Sequence, residues 1–386
     1  MTKVRASPKV VVAGLGDSGL LTAINVARTG PAYIVGIGTK PGMVSSQELG
    51  IRLARPDEWE KQYRVPFARF RKLKHVRTLH GTVTGVDLDR RRVSYKDIDG
   101  STGEVAYDVL VIATGVRNGF WRRPDLQTDA EVAAELRSAH QTVAGAKSIA
   151  IIGGGAAAVS SAANLAHAWP DKKVDLYFPG EAALPQHHRD VWVSVSKLLL
   201  ERGVGLHPGH RAVIPAGFSC DEITHEVVEW STGQSSTQAD AVLWAVGRVR
   251  PNSDWLPAEL LDDDGFVRVR GDLQVMNFPE IFAIGDIAAT DPLRTSARNR
   301  ADKILARNIH AFANGRPLKA YKPPRRRWGS VIGTQPNGLT VYAPNGKGFR
   351  FPTWANNVVL QPLIVKRGIY RGIRATPTKP QSKEKS

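Results

Sequence analysis

At 386 residues the chain is longer than one hydrophobic core usually organises, so two domains and a smaller unit are expected. Hydrophobic residues make up 42% and charged residues 23%, an ordinary globular balance, and no run approaches the ~18 apolar residues that a membrane span requires. The single cysteine, Cys220, excludes an internal disulfide and a redox cysteine pair, and fits a reducing cytoplasm.

The start, MTKVRASPKVVVAG, lacks an apolar signal core, so nothing points to export. Val10–Ala13 reads as a short β-branched strand. The glycine turn GLGDSG follows, then a helix from Leu20 to Arg28 and a second strand, Tyr33–Ile37, which makes a βαβ unit. From Val76 to Tyr107 the sequence alternates around turn residues, as a β-meander does, and leads into a buried strand, Val109–Ala113. A second cycle begins at Ile149: strand SIAII, turn GGGAAA, helix Val159–Trp169 closed by Pro170, and strand Val174–Phe178. Strand-like runs return at Glu226–Trp230, Ala241–Val246, Phe266–Val269 and Ile281–Ile284, and Ser296–Phe312 reads as a helix. The two βαβ units stand 139 positions apart. They predict a discontinuous first domain (8–120 and 245–315) with a second inserted into it (121–244). A basic subdomain (316–376) and a disordered tail (377–386) follow.

The first motif is Gly14-x-Gly16-x-x-Gly19. Small residues at this spacing permit a tight turn and let backbone N–H groups at a helix N-terminus approach a pyrophosphate. Alone it fits an ordinary glycine-rich turn just as well. Asp17 puts a negative charge beside the expected phosphates, and the second strand ends Gly36-Ile37-Gly38, without the acid that usually accepts the adenosine ribose hydroxyls. The second motif, Gly153-x-Gly155-x-x-Ala158, sits in a cleaner strand–turn–helix, and alanine meets the packing need of the third position. One dinucleotide needs one such turn, so the pair implies two cofactors. Tyr107–Gly115 and Ala239–Gly247 are matching strand-to-loop endings, one per unit, and Ile281–Asp286 is a strand ending in Gly-Asp.

With these elements the chain, from about Val10 to Phe312, resembles the FAD-dependent pyridine nucleotide oxidoreductases with two dinucleotide-binding domains. The nearest branch is the apoptosis-inducing-factor-like, ferroptosis-suppressor and type II NADH dehydrogenase group. The resemblance implies an α/β fold of two Rossmann-like three-layer domains, glutathione-reductase-like without the redox disulfide, plus a small C-terminal subdomain. It implies that Gly14, Gly16 and Gly19, with Ser18 in the same turn, hold the FAD pyrophosphate. Val83 would pass the adenine, Ala113-Thr114-Gly115 would lie along the cofactor, and Gly285-Asp286 would meet the ribityl chain. Arg298, on the helix beginning near Ser296, would approach the flavin pyrimidine edge. Gly153, Gly155, Ala156 and Ala158 would bind the pyrophosphate of NADH or NADPH, with Gly247 near the nicotinamide. Phe178 stands where an NADH site usually carries an acid, with Glu181 beyond and Arg189 the nearest cation.

The implied function is hydride transfer from NAD(P)H to FAD and on to a quinone or similar small acceptor. The alternatives are a reductase of an acidic iron–sulfur carrier and a nucleic-acid-binding or nucleotide-sensing flavoprotein. Hydride transfer needs alignment, not an acid–base pair, so no catalytic acid or base is named. His187-His188 and His207-x-x-His210 lack neighbouring cysteines or clustered carboxylates and read as loop histidines, not metal ligands.

Of the +17 net charge, most belongs to the tail: from Arg316 onward there are 15 Lys and Arg and one acid, Glu384. Tyr321–Trp328 and Val358–Arg374 mix these cations with aromatic and branched residues. Such a segment is either a packed subdomain with solvated arginines or a surface for an anionic partner. The partner would be a membrane surface or an acidic electron carrier, with nucleic acid least favoured. Pro362 argues against a long membrane helix. A cytoplasmic location, peripheral on the inner face of a membrane, and a homodimer are both compatible with this reading.

Overall fold

The computed structural model describes residues 7–45, 48–118, 123–247, 249–297, 300–327, 329–355, 358, 367–370 and 372–374. Strand Lys9–Ala13 is buried at four of its five positions, the unbroken apolar run of a strand covered on both faces. It pairs in parallel with Tyr33–Gly38 on one side and Val109–Ile112 on the other. Val76–Asp87 extends the sheet beyond Tyr33–Gly38, and Arg92–Asp97 and Thr102–Ala106 fold back as an antiparallel meander. On the far side Phe278–Ala283 lies parallel to Val109–Ile112, and Gln274–Val275 closes the edge of this eight-stranded sheet. The second sheet is fully parallel, in the order Gly205–His207, Lys173–Tyr177, Ser148–Ile152, Ala241–Trp244.

Helices cover the sheets because their apolar stripes fit nowhere else. Leu20 and Ile24 of helix Asp17–Thr29 meet Leu305 and Ile309 of helix Ala301–Ala313 on one face of the first sheet. Leu256, Leu260, Val267 and Val93 cover its other face. On the second sheet, Val159 and Leu165 of helix Ala156–Ala168 pack with Val191, Val195 and Leu199 of helix Arg189–Glu201. Trp230, Trp244 and Cys220 fill the opposite face.

Two expectations need correction. The helix read from Ser296 begins at Ala301, after a short 3-10 turn at Thr295–Ala297. The cause is tertiary: Thr295 donates to Asp291 Oδ2 (2.8 Å) and Ser296 to the Gly285 carbonyl (3.1 Å), while Arg300 takes a left-handed conformation at φ 65°. The runs Glu226–Trp230 and Phe266–Val269 form isolated bridges to several different partners, Thr237, Ala212, Leu261, Ala288 and Val275, and no continuous ladder. Within the C-terminal region Tyr321 and Tyr370 are each only 6% exposed.

The C-terminal region forms a three-stranded antiparallel sheet, Thr334–Gln335, Gly338–Tyr342 and Gly348–Phe351, followed by a single helical turn at Thr353–Ala355. Val331, Ile332 and Tyr342 share the core of the second sheet, and Asn164 Nδ2 donates to the Ile332 carbonyl at 2.9 Å. Residues 367–370 and 372–374 return to the first sheet's side. There Arg71 N donates to Gly372 O (3.0 Å) and Arg374 N to Arg69 O (2.8 Å).

Helix Leu49–Ala54 joins the two halves by lying directly on helix Ala156–Ala168: a Cβ built on Gly50 would collide with the Ser160 carbonyl. Because the obstacle is backbone, Gly50→Val is expected to destabilise the protein by about 1–3 kcal/mol. A thermal unfolding midpoint lowered by several degrees would show it, and an unchanged midpoint would mean that the helices do not meet so closely.

Candidate functional site

The two glycine turns are built alike. Gly14 N donates to the carbonyl of Ile37 on the neighbouring strand (2.9 Å), and Gly153 N donates to that of Tyr177 (2.8 Å). Gly14 lies at φ 99° and Gly153 at φ 137°, and a Cβ on either would strike a carbonyl oxygen, that of Ala113 or Ala245 respectively. Only glycine meets both demands. The middle glycines differ in kind: Cβ atoms at Gly16 and Gly155 would meet nothing within 4 Å. Those positions stay open, as close approach by a phosphate requires. At the third position a Cβ on Gly19 would collide with Gly14 O, whereas Ala158 fits and is fully buried. Each turn thus leaves room for a diphosphate at a helix N-terminus with no side-chain cap.

One cavity of about 1730 Å³ lies along both units. Of the expected contact residues, Gly14, Gly16, Ser18, Val83, Ala113, Thr114, Gly115, Ala156, Gly285 and Asp286 line it. Gly19, Gly153, Gly155, Ala158 and Gly247 do not line it; Gly19, Gly153 and Ala158 pack behind the turns, while Gly155 is exposed at the surface of its own. Arg298 lies outside the described residues. Asn252 holds the Thr114 loop from two sides: its carbonyl accepts from Thr114 Oγ1 (2.8 Å) and its Nδ2 donates to Thr114 O (3.0 Å). Gly285 is fixed by Ser296, whose hydroxyl accepts from Gly285 N at 3.1 Å.

The missing acid at the end of the second strand has a steric explanation. A Cβ on Gly36 would stand 2.6 Å from Leu15 Cδ2 and one on Gly38 3.0 Å from Leu15 Cβ, so the Leu15 side chain occupies that ground. In the second unit Phe178 is buried with its ring edge-on to Trp192 (5.3 Å). Apolar packing replaces the acid in both units.

Three cavity residues escaped the sequence reading. Arg52 is 7% exposed, lies over the Trp59 ring at 5.2 Å and faces the cavity. Burial lowers its pKa against the pull of Glu135. Lys40 donates to the Asp125 carbonyl, and burial pushes its ammonium down to about 8 despite Asp125 and Glu135. Lys40 sits just past the second strand, so its position in the chain was a usable signal. Tyr370, more than 350 residues from the first turn, gave none. Of the histidines singled out in the sequence, His188 Nδ1 accepts from Asp190 N to cap a helix, His207 pairs with Asp175 at 2.9 Å, and His187 lines the cavity.

Comparison with known proteins agrees with this architecture. The family model for pyridine nucleotide-disulphide oxidoreductases matches residues 8–313. Ferroptosis suppressor protein 1 of Xenopus tropicalis is 24% identical, over 83% of this chain and 85% of its own. Demethylphylloquinone reductase NdbB of Synechocystis is also 24% identical, over 92% of this chain and 95% of its own. The crystal structure of a ferredoxin reductase from Rhodopseudomonas palustris superposes with a TM-score of 0.63 at 20% identity, covering 87% of this chain and 88% of that one, a likeness of fold. With one buried cysteine the chain cannot form the redox disulfide for which the family is called. It belongs to the pyridine nucleotide-disulphide oxidoreductase family, as an oxidoreductase that uses FAD with NADH or NADPH.

Proposed function

We propose that the protein passes a hydride from NAD(P)H to FAD and then reduces a quinone or similar small ring acceptor. The observation that carries this reading is the pair of like-built turns, the first lining the cavity and the second reaching it through Ala156 and Ala157 at the start of its helix. Bound there, FAD supplies a two-electron carrier. Gly14, Gly16 and Ser18 would hold its diphosphate, Thr114 and Gly115 its length, and Asp286 its ribityl chain, while Ala156 begins the helix that faces the nicotinamide nucleotide. The chain's own task is to align the two rings and keep water out. Phe67, Val331 and Val341 give the cavity apolar walls suited to a flat acceptor, and the similarity to a demethylphylloquinone reductase in Synechocystis supports that class.

A basic surface adjoins this cavity. Between residues 61 and 86 the sequence has seven Lys and Arg and no acid. The fold pairs that stretch with residues 372–374, so that Arg71, Lys72, Lys74 and Arg374 line a hollow, and among the described residues none of the four has a carboxylate partner. Exposed Ile369 (42%) belongs to the segment that carries cavity residues Gly368 and Tyr370. Cations beside an exposed aliphatic residue suit an anionic lipid surface, which would bring an apolar acceptor to the flavin.

Two outcomes are expected. Gly155→Glu should slow flavin reduction by NAD(P)H about a hundredfold, the scale of a reactant displaced by ~1 Å, with FAD still bound, while Asp286→Ala should weaken FAD retention. Absorbance during anaerobic titration reads both, and loss of FAD from folded Gly155→Glu would reverse the assignment of the two turns. Lys72→Glu with Lys74→Glu should reduce binding to anionic phosphatidylserine vesicles more than about tenfold, at roughly 1 kcal/mol per charge, and leave flavin reduction unchanged. Equal binding by wild type and variant would remove this surface from the proposal.

A further inference from the structure

Asp17 is the first residue of helix Asp17–Thr29 and lines the cavity between the backbone groups of Gly16 and Ser18. A carboxylate at this end of a helix suits the helix dipole. It also stands where the same dipole would receive an anionic diphosphate, so helix and cofactor make opposite demands on one side chain. Both carboxylate oxygens accept hydrogen bonds. Ser45 Oγ donates to Oδ2 at 2.9 Å, and the Tyr370 hydroxyl donates to Oδ1 at 3.1 Å.

Tyr370 reaches this place by construction. Its ring is buried, edge-on to Phe70 at 5.6 Å. The segment beyond it is tied down by Arg71 N to Gly372 O and by Arg374 N to Arg69 O, with Ile373 bridged to Phe70. Three successive residues of the segment, Gly368, Ile369 and Tyr370, line the cavity.

We propose that Tyr370 is a positioning residue of the FAD site. With Ser45 it draws the Asp17 carboxylate to one side of the helix N-terminus, spreads its charge over two donors, and leaves the turn's N–H groups to the diphosphate. The C-terminal segment is thereby a working wall of the cofactor site. This inference rests on the reading that the cavity holds FAD.

The test is FAD affinity, measured on apoprotein by quenching of flavin fluorescence, for wild type, Tyr370→Phe, Asp17→Asn and the double variant. Tyr370→Phe removes one hydroxyl and keeps the ring against Phe70, so the fold should hold, and matching near-UV circular dichroism verifies it. Affinity should fall on the order of tenfold, the scale of a hydrogen bond to a charged group. Asp17→Asn removes the conflict, so it should bind FAD at least as tightly as wild type. In the Asp17→Asn background, Tyr370→Phe should then cost less than about threefold, a coupling between the two positions. Unchanged affinity in Tyr370→Phe overturns the inference. So does a tenfold loss that persists with Asn at position 17, since Tyr370 would then act through packing alone. Failure of wild-type apoprotein to bind FAD would instead bring down the cofactor reading itself, and this inference with it.

Discussion

The architecture depends on one contact made twice: a glycine Cα pressed against the carbonyl oxygen of the adjoining strand's loop, Gly14 on Ala113 and Gly153 on Ala245. This contact brings the end of each central strand close enough to its neighbour for the chain to turn at once into a helix. It therefore sets where each helix N-terminus points. A side chain at Gly14 or Gly153 would incur both a clash with backbone and a left-handed φ, and neither can be relieved by a rotamer change. The units differ at the third position, where the first tolerates no Cβ at Gly19 and the second encloses Ala158. The first helix thus lies closer to its own turn.

With the turns fixed, the strand ends explain how the cavity accommodates charge. Leu15 occupies the space above Gly36 and Gly38, and Phe178 packs on Trp192, so neither unit presents the usual acid to a ribose. The first unit instead places cations in the cavity, Arg52 on Trp59 and Lys40 beside the Asp125 carbonyl. Burial works against both charged forms and lowers the Lys40 pKa to about 8. Glu135 offsets part of that cost for both, and Asp125 a further part for Lys40.

What the sequence showed was what local chemistry determines. Glycine spacing and short β-branched runs announce strand–turn–helix units because φ and Cβ clearance are properties of adjacent residues, and the strands ending at Ile112, Trp244 and Ala283 were legible for the same reason. Reading failed where a side chain's partner is remote. Ser296 resembles the start of a helix, yet its hydroxyl is committed to Gly285, and the helix waits until Ala301. Charge was misplaced by averaging. The acid-free stretch 61–86 vanished into a near-neutral body of 315 residues, and only the fold sets it against Arg374.

The same reasoning separates two roles that composition blends in the C-terminal region. Its tyrosines hold it in place. Tyr321 donates to Thr295 Oγ1 at 2.8 Å, Tyr342 OH meets Ser194 Oγ at 3.1 Å, and Tyr370 donates to Asp17, each with its ring buried. A tyrosine suits this work because it buries a large ring and still needs a partner for its hydroxyl, which makes each anchor specific in position. The three partners lie on the loop after the Gly-Asp strand, on a helix of the second sheet and on the first glycine turn, so one segment references both units. The exposed side chains of Trp354, at 67%, and Arg374 face outward, while the Arg374 backbone joins the anchoring through Arg69. The basic, aromatic C-terminal region thus has an inner face of tyrosine hydroxyls that fixes the cavity wall and an outer face of exposed side chains such as Trp354 and Arg374.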